Sequence, residues 1–202
     1  MDSYDIVVIG GGPAGMAAAV AAREGGVKKI LLIERDRELG GILQQCIHNG
    51  FGLHHFKEDL TGPEFSERYI LSMGELDIPC KLDTTVLEIT ANREILYINA
   101  REGVRKVTAG AIVLAMGCRE RSRGAINIPG SRPAGVFTAG TAQRLINMEG
   151  YMGRQEGHDA GNRGHRFDHG QTIDPGGGQG DRRTGQEALS GGADAKRGPV
   201  PL

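Results

Sequence analysis

Six consecutive residues near the start of the chain, Gly10-Gly11-Gly12-Pro13-Ala14-Gly15, carry the spacing G-x-G-x-x-G. In that spacing the first glycine makes a tight turn and the second lets a pyrophosphate approach bare backbone. The third lets a helix pack closely on a strand. A helix opening at Pro13 would turn unpaired amides and the positive end of its dipole toward the phosphates. The hexapeptide alone is a weak signal. Glu34, 24 residues after Gly10, strengthens it, because a carboxylate there can accept hydrogen bonds from both hydroxyls of an adenosine ribose. The plain alternative is a surface strand that happens to end in an acid. Arg35 stands beside Glu34 without replacing it, so a 2′-phosphate is not favoured.

These residues need strands and a helix around them. Asp5–Ile9 is a short, β-branched apolar run, as expected of a parallel strand buried on both faces. Pro13–Arg23, rich in alanine with proline at its start, suits a helix on a sheet, and Gly25-Gly26 ends it. Lys29–Glu34 reads as a second buried strand, which makes residues 4–34 a right-handed βαβ unit. Thr61-Gly-Pro-Glu64 has the spacing of a capping box, and Phe65, Tyr69, Met73 and Leu76 then mark one face of an amphipathic helix whose role is core packing. Three strand-like runs follow, Thr84–Thr90, Glu94–Ala100 and Val104–Thr108, and they suggest an antiparallel meander. Ala111–Ala115 is a further apolar run, expected to rejoin the parallel sheet.

Gly10 to Gly15, Glu34-Arg35, the doublet Gly40-Gly41, the meander and Ala115-Met116-Gly117 occur in the order found in the FAD domain of pyridine-nucleotide-disulfide-oxidoreductase-like flavoproteins, and residues 1 to about 152 resemble that domain. The stretches Gly40–Gly52, Gly117–Arg121 and Gly135–Gln143 are similar, more narrowly, to NAD(FAD)-dependent dehydrogenases related to the FAD subunits of amino-acid and opine oxidases. The resemblance implies an α/β fold, a Rossmann-like FAD-binding domain with a parallel sheet and an antiparallel β-meander. It implies FAD as cofactor, with NAD(P)H used by the intact protein. By position, Gly12, Pro13, Ala14 and Gly15 would contact the pyrophosphate, Glu34 the ribose, and Val86 the adenine through its backbone. Gly117 would meet the dinucleotide again at the end of its strand, and Gly10, Arg35, Gly41 and Ala115 are also implied as cofactor-binding. Val86 reads equally well as plain core.

Disulfide reductases of this superfamily carry a redox-active cysteine pair just after the doublet, whereas here Cys46 stands alone, so dithiol chemistry is not expected. Cys46 and His48 are weak catalytic candidates. The alternatives are an inert buried thiol for Cys46 and a surface or structural role for His48, His54 and His55. No metal site is expected.

A net charge of −1 and the lack of a basic stripe interleaved with aromatics argue against nucleic acid as a partner. The apolar stretch Ile6–Ala22 lacks a basic flank and is interrupted by glycines, which argues against a signal peptide or membrane span. Three widely spaced cysteines, Cys46, Cys80 and Cys118, fit a reducing cytoplasm. The expected partners are a small-molecule substrate or a partner redox subunit.

Composition shifts after residue 152. Residues 153–202 hold 13 glycines and only five residues of the Ile, Leu, Val, Met and Phe class, too few to bury a core, so a disordered tail is expected there. Codons permitted for His158–Gln171, read one base later, can spell M-M-L-G-T-G-D-I-G-L-I-M-A-K, a strand followed by a second glycine fingerprint. The expected organisation is therefore an incomplete FAD-binding domain over residues 1–152 and an out-of-frame tail over 153–202, with a base inserted after the codon for Met152. Rival readings make His158, His165 and His169 metal ligands, or the glycine and arginine content an RNA-binding tail. Three functions follow from these expectations: an FAD-dependent oxidoreductase, a non-catalytic fragment that keeps only the ADP half-site, or an NAD-binding module.

Overall fold

A computed structural model describes residues 2–151, apart from 123, 128, 132, 133 and 135. The tail from residue 153 onward, and with it the readings of the frameshift, the expected disorder and His158, His165 and His169, lies outside the described residues.

The chain opens with β1 (Asp2–Ile9), α1 (Pro13–Glu24) and β2 (Ile30–Ile33). β1 and β2 are parallel, in register from Ile6 opposite Ile30 to Ile9 opposite Ile33. All four residues of β2 are buried, which is why its sequence is purely apolar. α1 ends because Gly26 takes a left-handed backbone conformation, φ +93°, that a side chain would strain.

A 3-10 turn over Gly41–Gln45 leads to a two-stranded antiparallel ribbon, β3 (Asn49–Phe51) and β4 (Leu60–Thr61). α2 (Gly62–Glu75) starts with the expected capping box, the Thr61 amide donating to Glu64 Oε2 at 2.7 Å and the Glu64 amide to Thr61 Oγ1 at 3.4 Å. Its expected apolar face divides in two. Met73 is fully buried against α1, with Tyr69 and Leu76 packed beside it. Phe65 and Tyr69 also form a ring cluster with Phe56 and, through Tyr69, His55 of the β3–β4 loop, ring centroids lying 5.4 to 5.7 Å apart.

Four more strands complete a six-stranded sheet: β5 (Cys80–Lys81), β6 (Thr85–Ile89), β7 (Glu94–Asn99) and β8 (Gly103–Leu114), in the order β5-β2-β1-β8-β7-β6. β5, β2, β1 and β8 run parallel, and β8, β7 and β6 form the antiparallel meander.

Here the structure corrects the sequence reading. Val104–Thr108 and Ala111–Ala115 are not two strands but one unbroken strand, which pairs with β7 along Gly103–Thr108 and with β1 along Val107–Leu114. Ala109-Gly110 does not interrupt it. A Cβ at Gly110 would lie 2.8 Å from the Asp5 carbonyl oxygen, so glycine is present because β1 passes too close for a side chain.

The sheet buries both faces. On one side Val8, Ile30 and Leu32 pack under Met16, Ala19 and Val20 of α1 and Met73 of α2. On the other, Val7, Ile9, Leu31 and Ile33 pack against Ile95, Tyr97 and Val107 of the meander. Each fully buried aliphatic side chain contributes about 1.5–3 kcal/mol, which holds the sheet between its two covers. A last helix, α3 (Ala139–Asn147), follows the loop after β8. No helix among the described residues is long and apolar enough to cross a membrane.

Candidate functional site

The carboxyl ends of β1, β2 and β8 lie side by side at one end of the parallel sheet, with β1 between the other two. Doubly wound sheets take their ligands in the crevice outside the carboxyl ends of their strands. The turn after β1 lies in this crevice. Gly10, at φ +107°, donates its amide to the Ile33 carbonyl at 2.9 Å, and the Ala115 amide donates to the Ile9 carbonyl at 2.8 Å. A Cβ at Gly10 would overlap the Ala115 carbonyl, and one at Gly15 would overlap the Gly10 carbonyl. These two glycines are thus required by packing alone.

Gly12 differs, since a Cβ placed there would meet nothing within 4 Å. The chain keeps bare backbone beside open space at the position where α1 begins. Gly12 caps that helix without a side-chain hydrogen bond, Pro13 follows, and no acidic residue occupies the first turn. The amides of Ala14 and Gly15 have no acceptor within the helix, because only later amides reach back to a carbonyl four residues earlier. An anion at this end meets their dipoles uncompensated by any local carboxylate.

Glu34, one residue past β2, is buried, 6% exposed, with its carboxylate turned into the same crevice. Oε2 accepts the Gly11 amide at 2.5 Å, and Oε1 accepts the Asp36 amide at 2.8 Å. Two carboxylate oxygens offer about four acceptor positions, so about two are left for hydroxyl donors. The backbone of Glu34 is fixed as well, its amide donating to the Lys81 carbonyl and its carbonyl accepting the Thr84 amide, both at 2.9 Å. That second bond ties the start of β6 to Glu34. Val86, two residues on, packs its side chain on the second core face, and its strand is the outermost of the sheet. Arg35 is exposed beside the crevice.

The doublet closes over the turn. Gly40, at φ +110°, donates to the Gly11 carbonyl at 2.8 Å, and a Cβ at Gly41 would lie 3.1 Å from Gly12 Cα. Ala115, half-buried, packs toward α1, and Gly117 turns the chain at φ +66° with space around it. Gly10, Gly12, Pro13, Ala14, Gly15, Glu34, Gly41 and Ala115 are therefore brought together.

Cys46 and His48 are placed differently. The Cys46 carbonyl accepts the Gly62 amide at 2.8 Å, between the 3-10 turn and α2, and burial pushes its thiol pKa up. His48 is exposed, 3.0 Å from the Asn49 carbonyl through Nδ1, beside the Phe51 ring. Their contacts run to these neighbours rather than to the glycine turn. The three cysteines are free thiols.

α3 and Asp36 join the surround of the site without being among the residues expected there. Arg144 of α3 pairs with Asp36 at 3.4 Å, and Asn147 donates to the Gln45 carbonyl at 2.7 Å. Thr138 followed by Gln143-Arg144-Leu145 was an available helix signal. The pairing with a residue 108 positions earlier has none.

With this geometry established, the comparisons decide the family. Residues 4–150 match the family described as pyridine nucleotide-disulphide oxidoreductase. The chain belongs to that family. The family is one of FAD-dependent oxidoreductases. An opine oxidase subunit of Agrobacterium tumefaciens is 34% identical over 162 residues, which cover 75% of this chain and 30% of that protein. Hydrogen cyanide synthase subunit HcnB of Pseudomonas protegens is 31% identical over 149 residues, 71% of this chain and 30% of that protein. The chain thus spans about a third of the length of these relatives. Among solved structures, L-proline dehydrogenase from P. horikoshii superposes with a TM-score of 0.57 at 22% identity, over 72% of this chain and 28% of that one, a likeness of fold.

The site fits the family's cofactor at its ADP end. Glycine backbone beside open space, first-turn amides and a buried carboxylate in one crevice form a donor and acceptor set suited to a diphosphate joined to a ribose.

Proposed function

We propose that this chain binds the ADP half of FAD within a flavoprotein that moves a hydride between NAD(P)H, flavin and a small organic substrate or a partner redox subunit. The observation that carries the reading is the pairing of an open Gly12 at the head of α1 with a buried Glu34 whose carboxylate already lies against the Gly11 amide. In this role the Ala14 and Gly15 amides hold the diphosphate, Glu34 accepts the ribose hydroxyls, Gly41 closes over the turn, and Gly117 and the backbone of Val86 border the ligand's ends. Arg35 flanks the ribose. FAD, when bound, supplies the hydride chemistry. The protein orients it and keeps water from the diphosphate.

The opine oxidase and cyanide synthase relatives, each named as one component of a larger enzyme, make a small substrate and a partner component the natural setting. Free thiols throughout agree with a cytoplasmic location. An inserted base after the codon for Met152 accounts for the change in composition there, and resequencing the gene tests it: an error-free frame with no fingerprint one base over removes that idea. Cys46 and His48 remain the candidates for chemistry near the flavin, Cys46 the weaker because a raised thiol pKa disfavours the thiolate.

The test is a titration with ADP followed by loading with FAD. Glu34→Ala is expected to weaken ADP by about ten- to a hundred-fold, as befits hydrogen bonds to a charged group. Gly12→Ala, whose new methyl meets no protein atom within 4 Å, should leave thermal unfolding nearly unchanged while weakening ADP. Visible bands near 370 and 450 nm, roughly where flavins absorb, would support the complete cofactor site. A colourless protein that still binds ADP would support the half-site alone. ADP affinity indifferent to both substitutions would sink the assignment.

A further inference from the structure

We infer that Arg144 is a positioning residue for the ribose carboxylate, acting through Asp36 from a helix that contributes no group to the crevice itself. The inference rests on the role of Glu34 proposed above. Three contacts make the chain of action. The Asp36 amide donates to Glu34 Oε1 at 2.8 Å, so the orientation of one carboxylate oxygen depends on how residue 36 is held. The Asp36 carbonyl accepts the Asp83 amide at 3.0 Å, which fixes the residue on its other flank. The Asp36 carboxylate meets Arg144 Nη1 at 3.4 Å, which fixes it from α3.

Arg144 is itself braced. Its Nε lies 3.8 Å from Glu149 Oε1, which also meets Arg37 Nη2 at 3.7 Å. Four charges of alternating sign therefore link residues 36 and 37 with residues 144 and 149. A second tie, the bond from Asn147 to the Gln45 carbonyl, holds α3 to the 3-10 turn that follows the doublet. α3 thus touches both loops that frame the glycine turn. Turned toward Arg144, the Asp36 carboxylate is also kept from competing with Glu34 for the Asp36 amide.

The Arg144 and Asp36 side chains are 39% and 34% exposed, so the pair adds little to fold stability. Its effect belongs in binding, where a carboxylate already aimed at the sugar costs less to order. The readout follows from that. In the 202-residue chain, Arg144→Gln is expected to weaken ADP about two- to fivefold, the size of a partly exposed ion pair. It should leave the dideoxyribose analogue of ADP unaffected, because that ligand offers Glu34 no hydroxyl. Arg144→Lys should retain most of the affinity, and on an Asp36→Asn background Arg144→Gln should have no further effect.

Calorimetric titration of both ligands across these variants decides the matter. An Arg144→Gln chain that binds ADP as tightly as the parent overturns the inference. So does equal weakening of both ligands, which would mark a diffuse charge effect, or a loss that persists beside Asp36→Asn. The Glu34→Ala arm separates the two claims. If it leaves the preference for ADP over the dideoxy analogue unchanged, the ribose reading fails; if it abolishes that preference while Arg144→Gln does nothing, only the present inference falls.

Discussion

At the scale of single residues, the crevice separates glycines by what each would collide with. Gly10 and Gly15 have protein atoms where a Cβ would go, whereas Gly12 has none. The motif alone does not reveal this difference, since all three are written with the same letter. The cysteines differ in a comparable way. Cys46 and Cys80 are half-buried, and burial raises both thiol pKa values, while Cys118 is exposed. A raised pKa leaves less thiolate at a given pH, and the thiolate is what reacts. With a thiol-labelling reagent near neutral pH, Cys118 should react first. Labelling of Cys46 and Cys80 should rise only above the ordinary thiol range. Mass spectrometry of the labelled peptides over a pH series checks this, and fast early modification of Cys46 would contradict it.

At the scale of elements, the sequence was legible where local chemistry decides the outcome and silent where it does not. Pro13 delimits α1 by the φ it fixes and Gly26 by the left-handed conformation it permits, and Thr61 with Glu64 starts α2 by the bonds read from their spacing. The three runs of the meander were legible as strands bounded by turns. The union of its third strand with the next apolar run was not, because Gly110 looks like a breaker until β1 is placed against it. The docking of α3 escaped for a related reason: Arg144 and Asn147 are held by Asp36 and Gln45, over a hundred positions away in sequence. The cap of α2 yields a direct prediction. Thr61→Ala should cost about 1 kcal/mol near neutral pH. For a chain of this length that lowers the melting temperature by about 2–4 °C. The Glu64 carboxyl, bonded by the Thr61 amide and hydroxyl, is held below its ordinary pKa. Its contribution is therefore present above the usual carboxylate range and lost as pH falls through the folded value. The gap between variant and parent should narrow in acid, and thermal melts at several pH values would show whether it does.

At the scale of the molecule, the described residues place four parallel strands under helices on one face and against the meander on the other, with the proposed nucleotide crevice at their carboxyl ends. The proposed ADP site was readable because its parts are local: a turn, a helix start and the end of the next strand. The support around it was not, because Asp36 and α3 reach it only through the folded chain. What lies beyond the ADP end is a matter of the longer relatives, of which these residues span about a third.

β8 is a single rod 12 residues long, seated at one end in the hairpin with β7 and at the other beside the glycine turn through Ala115. No joint lies between those ends to absorb motion. A nucleotide that quiets the turn should therefore damp breathing at the distant hairpin, and amides of β7 and of residues 103–108 should exchange with deuterium more slowly once ADP is bound. Unchanged exchange there, with protection confined to the turn, would mean that the rod bends after all.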